Sequence, residues 1–304
     1  MLDTLAAIDI GRGRFAQAKQ TLQRVAALRE RVVSPQDPTL SETLTNLGFV
    51  NYSQGHYAEA ETLYRRVISI RERALGNSHP EIGHIWNQLA AVYSIEKQYS
   101  KAEQVWTRVL RIYQASLGPE HPEVGTVLNN LGMLCYNESR FREAEPLLQR
   151  ALAICTKSLG PDHPCVTAAL TNLGSVERAQ RRYQEAEAHY RRAATVEEKT
   201  YGAEHPAFFR TLGNLAEMLR EQKRYADAEA LYIRCLKIGE KFLGPAQPEV
   251  LTMWSNYAEL LRTLHRKDEA RRIEARIREL HAASASGDPQ RFEVNWRDLQ
   301  NRSK

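Results

Sequence analysis

The sequence predicts an all-α fold in which antiparallel helix pairs stack one after another as a solenoid. Within residues 122–159, apolar side chains follow a helical spacing twice, and a polar turn separates the two stretches. The first apolar face consists of Val124, Val127, Leu128, Leu131 and Leu134. The second consists of Phe141, Ala144, Leu148, Ala151, Leu152 and Cys155. One partner helix cannot cover both faces, so this helical hairpin requires neighbours.

The neighbours follow at a fixed interval of 42 residues along a chain of 304 residues. A proline opens each predicted first helix, at Pro38, Pro80, Pro122, Pro164, Pro206 and Pro248. A leucine recurs inside that helix, at Leu47, Leu89, Leu131, Leu173 and Leu215. A small residue recurs in the second helix, at Ala60, Ala102, Ala144, Ala186, Ala228 and Ala270. Such a period is typical of a solenoid in which each unit packs only against adjacent units.

A histidine precedes the proline in four units, at His79, His121, His163 and His205. A residue before proline is kept out of the helical region, and proline suits the first helical position. We therefore expect these histidines to cap helices or to pack in the linkers. They belong to successive units about 10 Å apart. Because zinc holds its ligands at ~2.1 Å, they cannot share one ion.

Packing positions of a known repeat family are matched by Leu131-Gly132, Ala144, Leu148 and Ala151-Leu152. With the segments LNNLG, FREAEPLLQRAL and LGPDHP, nearly the whole chain resembles tetratricopeptide repeats of the 42-residue type found in kinesin light chains. The resemblance implies a right-handed superhelical solenoid. It also implies a non-catalytic scaffold or adaptor, whose first helices line a concave groove for an extended peptide of a partner protein.

The repeat register divides the chain into eight segments. They are a truncated first unit at 1–37, regular units at 38–79, 80–121, 122–163, 164–205 and 206–247, a capping unit at 248–283, and a linker with a C-terminal tail at 284–304. The last unit is predicted to be a cap because Gln247, Lys267 and Arg271 replace its recurring histidine, aromatic residue and glutamate. A terminal repeat needs such a polar outer face.

Composition and the motifs that the sequence lacks argue against several classes of protein, including disordered proteins, membrane proteins and enzymes. Apolar residues make up 42% and charged residues 26%, which argues against disorder. The cysteines form no CxxC pair, so neither a disulfide nor zinc is expected. With no signal-peptide pattern or long apolar run, a cytoplasmic location without membrane insertion is predicted. Catalytic and nucleotide-binding motifs are missing, and carboxylates recur only by repeat symmetry, so we expect no enzyme activity, cofactor or metal.

A column of amides is the strongest functional lead. It lies one position before the recurring leucine and contains Asn46, Gln88, Asn130, Asn172, Asn214 and Asn256. The resemblance implies that these residues hold a peptide backbone, since an amide can donate to a C=O and accept from an N–H at once. Alternatively, each amide bonds a neighbouring repeat and only ties the solenoid together.

Residues around the amide column predict the chemistry of the partner. Flanking amides and apolar anchors occur in the first half, at Phe49, Tyr52, Asn87, Asn129, Met133 and Tyr136. The second half is basic through Arg178, Arg210, Arg220 and Arg262, although Glu177, Glu217 and Glu259 dilute the charge. A partner with an aromatic or aliphatic anchor and acidic residues would suit this surface. The alternative is that these are ordinary solvated positions.

The tail adds a second hypothesis, because Trp296 has acidic neighbours and resembles in outline the tryptophan-acidic peptides that kinesin light chains bind. The tail is therefore predicted to dock on its own or a neighbouring solenoid; the alternative is a free end.

A different functional class also stays open. In it, the protein is a structural assembly component that joins other molecules through its solenoid ends or its convex face.

An arginine recurs once in every unit, at Arg24, Arg66, Arg108, Arg150, Arg192, Arg234 and Arg276. With a net charge of +5, this column suggests a track for nucleic-acid phosphates. A glutamate column accompanies it, however, at Glu61, Glu103, Glu145, Glu187 and Glu229. Ion pairs between repeats are therefore the favoured interpretation, and nucleic-acid binding is not expected.

Overall fold

The computed structural model describes residues 2–11, 14–33 and 37–286, and these ranges contain only helices and their connections. The helices are α1 Leu2–Gly11, α2 Phe15–Val32, α3 Pro38–Ser53, α4 Tyr57–Leu75, α5 Pro80–Ile95, α6 Tyr99–Ser116, α7 Pro122–Asn137, α8 Phe141–Leu159, α9 Pro164–Ala179, α10 Tyr183–Tyr201, α11 Phe208–Glu221, α12 Tyr225–Phe242, α13 Pro248–Thr263 and α14 Lys267–Ser286. The predicted all-α class of stacked helix pairs is confirmed.

The chain forms two compact units, Met1–Ser158 and Leu159–Lys304. We call the odd-numbered helices first helices and the even-numbered ones second helices. In unit 1, α1 packs with α2, α3 with α4 and α5 with α6, and each of these second helices also contacts the following first helix. Unit 2 repeats the arrangement with the pairs α9–α10, α11–α12 and α13–α14. Successive first helices touch as well, as between α3 and α5 and between α11 and α13.

The recurring apolar columns form the cores of both units. The five recurring leucines are at most 7% exposed, and the six recurring alanines are completely buried. Small residues on the first helices leave room for large side chains of the second. At Gly174, an added Cβ would lie 2.8 Å from Cε1 of Tyr190. The sequence columns therefore correspond to packing columns, in which small and large side chains face each other.

Three of the recurring histidines, His79, His121 and His163, cap first helices, which confirms the capping alternative. The Nδ1 atom of His121 accepts a hydrogen bond from the backbone N–H of Glu123 at 3.3 Å, and His79 and His163 accept equivalent bonds at 3.3 and 3.1 Å. His205 accepts a bond from the N–H of Ala207 at 3.2 Å, in the turn before α11. These bonds satisfy an N–H group that has no partner within the helix. Gln247, which stands at the same position before α13, makes no side-chain capping bond.

Two helix boundaries differ from the sequence-based expectation. The helix expected to open at Pro206 begins at Phe208 instead, because residues 206–207 form a tighter turn in which the N–H of Phe209 bonds the carbonyl of Pro206 at 3.1 Å. Helix α14 continues to Ser286, past the predicted boundary at 283. The alanines in this stretch favour continuation of a helix.

The prediction that no cysteine forms a disulfide is wrong. Cys155 and Cys165 are disulfide-bonded, whereas Cys135 and Cys235 are free and buried. Burial raises the pKa of the Cys235 thiol to about 12, so this thiol is protonated and unreactive at neutral pH. Sequence spacing missed the bonded residues because they lie on different helices, outside any local cysteine motif.

Candidate functional site: the open face of the first helices

The first helices expose one narrow stripe of residues. On α3, the exposed side chains are Thr39, Glu42, Phe49 and Ser53, with partly exposed Asn46 between them. Their spacing of three or four residues places them on one helix face. The corresponding positions of α5, α7, α11 and α13 are also exposed or partly exposed. We call this stripe the open face.

Side-chain contacts show that the open faces of successive first helices lie side by side within each unit. In unit 1, Nδ2 of Asn130 on α7 donates to Oδ1 of Asn87 on α5 at 3.0 Å. In unit 2, Arg220 on α11 lies 3.3 Å from Glu259 on α13. An extended ligand crossing the helices would therefore meet equivalent positions in turn.

Some side chains of the amide column already hydrogen-bond another residue, and others do not. Asn46 and Gln88 are partly exposed, and neither side chain forms a hydrogen bond to another described residue. Asn130 is also partly exposed, but its amide nitrogen bonds Asn87, which in turn accepts a bond from the indole of Trp106 at 2.8 Å. Asn130 thus ties two repeats together, while Asn46 and Gln88 present unengaged amides.

The amide column is not continuous through unit 2. Asn172 is only 5% exposed, so a peptide on the surface cannot reach its amide in this conformation. Asn214 and Asn256 are partly exposed. The sequence pattern could not separate these cases, because the burial of one column position depends on the size and placement of its neighbours.

Apolar side chains accompany the amides in unit 1. Phe49 is 37% exposed and contacts Phe15 edge-on, with ring centroids 6.5 Å apart. The rings of Tyr52 and Tyr136 are partly exposed, as is the Met133 side chain. Ile95 on α5 is 44% exposed, although the sequence pattern does not single it out. Its position in the repeat, equivalent to Ser53 on the open face, is the signal that identifies it.

The basic half of the predicted site is largely neutralised by internal ion pairs. Arg220 lies 2.5 Å from Glu217, and Arg262 lies 2.6 Å from Glu274. Arg178 lies 3.8 Å from the carboxylate of Glu221. Arg210 is exposed, and no ion pair joins it to another described residue.

The arginine column forms ion pairs between repeats, as predicted, but with a different glutamate column. Arg66, Arg108, Arg234 and Arg276 each pair with a glutamate 36 positions earlier, at distances of 2.6 to 3.3 Å. The glutamates that were expected as partners pair elsewhere: Glu103, Glu187 and Glu229 pair with Arg140, Arg224 and Arg266. The residues 36 positions before Arg150 and Arg192 are Gln114 and Thr156, which carry no charge.

A buried carboxyl group lies between α10 and α11 in unit 2. Glu197 is 5% exposed, and its Oε1 accepts a hydrogen bond from the hydroxyl of Thr211 at 3.1 Å. Its Oε2 has no hydrogen-bond partner among the described residues. Burial raises the pKa of Glu197 to about 7. The repeat pattern does not indicate this group, because Arg71, Tyr113 and Gly239 occupy the same column in other repeats.

The described residues include helices and surfaces outside the open face. No cluster of three or more His, Cys, Asp or Glu side chains there is arranged to hold a metal ion. None of the described helices combines the length and the apolar character needed to cross a membrane.

In each unit, stacked helix pairs that expose a stripe of residues on their first helices define a helical-repeat interaction module. The model of the family "Tetratricopeptide repeat" matches residues 1–73, 81–156, 125–199, 166–216 and 207–282. The chain therefore belongs to the tetratricopeptide repeat family, as its motifs predicted. Proteins of this fold serve as protein–protein interaction scaffolds, and the chain is assigned to that class. No curated protein matches the sequence.

Solved structures share the fold at low sequence identity. BtubC (BKLC) from P. vanneervenii has a TM-score of 0.62 and 22% identity, covering 76% of this chain and 92% of that one. A putative kinesin light chain from Podospora anserina has a TM-score of 0.54 and 24% identity, covering 67% and 97%. The apo quorum sensor NprR from B. thuringiensis has a TM-score of 0.71 and 14% identity, covering 92% and 75%. These similarities concern the fold alone.

Proposed function

We propose that this protein is a non-catalytic adaptor that binds an extended peptide segment of a partner protein across the open face of its first helices. The unengaged amides of Asn46 and Gln88, beside exposed Phe49 and Ile95, carry this proposal. The amides supply hydrogen bonds to a peptide backbone, and the apolar side chains supply an anchor site.

The spacing of the helices suits an extended ligand. Packed helices lie ~8–10 Å apart, and an extended chain rises ~3.3 Å per residue. A peptide crossing successive first helices would therefore meet one amide at about every third residue. Asn130 can contribute through its carbonyl oxygen and its second N–H, because the bond to Asn87 uses only one of the two donors of its amide nitrogen.

An aromatic or aliphatic anchor on the partner fits the row of Phe49, Met133 and Tyr136. The acidic character predicted for the partner now depends mainly on Arg210, since Arg220 and Arg262 are already ion-paired. An acidic segment would gain little from arginines whose charges are satisfied within the protein.

Removing the two open amides tests the proposal. In the double variant Asn46→Ala, Gln88→Ala, affinity for a bound peptide should fall roughly tenfold, because each lost hydrogen bond contributes about 0.5–1.5 kcal/mol. The matched control is Gln104→Ala, Gln184→Ala, which removes two exposed amides from second helices. Unchanged affinity in the first variant, with circular dichroism showing an intact fold, would refute amide-mediated binding.

A second function, structural assembly through a solenoid end, is favoured by one observation on α1. Leu5 and Ile8 are 47% and 45% exposed. The equivalent positions in the later repeats, such as Leu47 and Val50, are at most 7% exposed because the preceding second helix covers them. The face formed by Leu5 and Ile8 therefore has the chemistry of a repeat-stacking surface.

The oligomeric state tests assembly through this face. The wild-type chain should self-associate at micromolar concentration in light-scattering measurements, and Leu5→Ser, Ile8→Ser should be monomeric, because self-association would bury these side chains. The control Leu75→Ser, Leu243→Ser removes comparable exposed apolar area elsewhere and should not change the association. A wild-type chain that is monomeric at all concentrations would rule out self-assembly through this face.

The tail hypothesis concerns Trp296, which lies outside the described residues. We retain it as a proposal that rests on the sequence alone. If the tail occupies the open face, deletion of residues 287–304 should raise the affinity for an added peptide. Unchanged affinity after the deletion would exclude a competing tail.

A further inference from the structure

The first helices of unit 1 have an unusual charge composition. Helices α1, α3, α5 and α7 contain no lysine or arginine, although the whole chain has 42 such residues and a net charge of +5. The charged side chains of α3, α5 and α7 are Glu42, Glu81 and Glu123, accompanied by His84. In unit 2, by contrast, the first helices contain Arg178, Arg210, Arg220 and Arg262.

Three glutamates lie at the N-terminal edge of the open face. Glu81 and Glu123 occupy equivalent positions of α5 and α7, and Glu42 lies about one turn further along α3. Glu42 is exposed, and no ion pair joins it to another described residue. Glu81 lies 3.6 Å from Arg71, and Glu123 lies 4.0 Å from His84, which is charged only when protonated. Arg29 also reaches this edge, where its guanidinium donates to the carbonyl of Thr39 at 2.8 Å. Three carboxylates against two guanidinium groups leave a net negative charge at neutral pH.

The opposite edge of the same face is apolar. Phe49, Tyr52, Ile95, Met133 and Tyr136 lie toward the C-terminal ends of α3, α5 and α7. The open amides of Asn46 and Gln88 lie between the two edges. One extended ligand can therefore contact carboxylates on one side, apolar side chains on the other and amides along its backbone.

We propose that the open face of unit 1 binds an extended peptide that combines an apolar anchor residue with lysine or arginine, rather than the acidic peptide that the basic half of the chain suggested. This inference rests on the proposed peptide-binding function and names the chemistry of the partner. Opposite charges speed association and select the partner, because a like-charged peptide is repelled.

Helix stability is the competing explanation for two of the glutamates. Glu81 and Glu123 lie in the first turns of α5 and α7, where a carboxylate interacts favourably with the helix dipole. Glu42 lies beyond the first turn of α3, so the dipole does not explain it. A peptide-binding measurement separates the two explanations.

The experiment uses fluorescence anisotropy with the full chain and three labelled peptides of about nine residues, a length that spans three first helices. All three peptides have a central Leu-Phe anchor, flanked by lysines, by serines or by glutamates. The lysine peptide should bind roughly tenfold more tightly than the glutamate peptide, with the serine peptide between them. The difference should shrink with added salt, because exposed charges are screened.

Variants that remove glutamate charges test whether this edge causes the preference for the lysine peptide. Glu42→Gln, Glu81→Gln, Glu123→Gln should bind the lysine and glutamate peptides with nearly equal affinity. The control Glu59→Gln, Glu249→Gln, Glu279→Gln removes the same charge at exposed positions outside this edge and should keep the wild-type preference. Thermal unfolding confirms that each variant is folded.

The results separate this inference from the proposed function. Equal binding of the lysine and glutamate peptides to wild type, or a preference that survives the triple substitution, overturns the basic partner. If Asn46→Ala, Gln88→Ala still weakens binding in that case, peptide binding at the open face stands and only its charge preference fails. If no peptide binds to wild type, both proposals fail.

Discussion

At the scale of single residues, the recurring histidines satisfy backbone N–H groups next to the helix-opening prolines. Their position before a proline indicated helix capping, and each accepts a bond from the N–H two residues later. Backbone geometry next to proline is local, so it can be inferred from sequence.

Loss of one cap should measurably destabilise the protein. His121→Ala removes the acceptor for the Glu123 N–H and should lower the free energy of unfolding by about 1 kcal/mol. Gln247→Ala is the matched control, since Gln247 occupies the same position without a capping bond. Urea unfolding should show a lower midpoint for the first variant only, and equal midpoints would contradict a stabilising cap.

Glu197 makes the stability of the fold pH-dependent. Its folded-state pKa of about 7 lies above the ordinary value of 4.5, so burial favours the protonated form. The associated stability is fully present below pH ~4.5 and is lost as the pH rises through about 7. Relative to Glu197→Gln, the wild type should lose up to about 3 kcal/mol across this window. Unfolding curves of the two proteins that run parallel from pH 4 to 8 would disprove the shift.

At the scale of helices, ion pairs join successive second helices through the recurring arginines. The pair between Arg276 and Glu240 is the most protected example, since the Glu240 side chain is only 7% exposed and also accepts a bond from the indole of Trp254. Buried pairs of this kind are costly to break, because the remaining charge loses its partner.

Two arginines of the same column should therefore respond differently to substitution. Arg276→Met leaves the carboxylate of Glu240 with less compensation and should destabilise the protein by about 3 kcal/mol. Arg150→Met should change stability by less than about 0.5 kcal/mol, because Arg150 is exposed and the residue 36 positions earlier is uncharged Gln114. Similar losses in both variants, measured by thermal unfolding, would show that the column does not act through its ion pairs.

The helix register was predictable, whereas its side-chain partners were not. The 42-residue period placed most helix starts at their prolines, with α11 as the exception. The same period suggested Glu61 and its equivalents as arginine partners, yet a glutamate 36 positions earlier forms the pairs. Pairing depends on how far one helix is displaced along its neighbour, which periodicity does not specify.

At the scale of the whole molecule, the family and the fold could be predicted from the sequence because the packing residues recur in every repeat. The candidate binding surface could be predicted only in part. Repetition reveals positions that stay the same, but a binding site depends on positions that differ, such as buried Asn172 beside open Asn46. The charge difference between the first helices of the two units is also visible in the sequence. Only the structure shows which of these charged residues lie on the open face, where a ligand could contact them.

The most direct test of peptide binding at the open face is a map of where the peptide lies. Photo-crosslinking peptides with lysine, serine or glutamate flanks, followed by mass spectrometry, would identify the residues within reach of the bound ligand. Peptide binding at the open face should produce crosslinks within residues 39–53, 81–95 and 123–137, on α3, α5 and α7, and these should be lost in Asn46→Ala, Gln88→Ala. Crosslinks confined to the second helices α4 and α6 would contradict it.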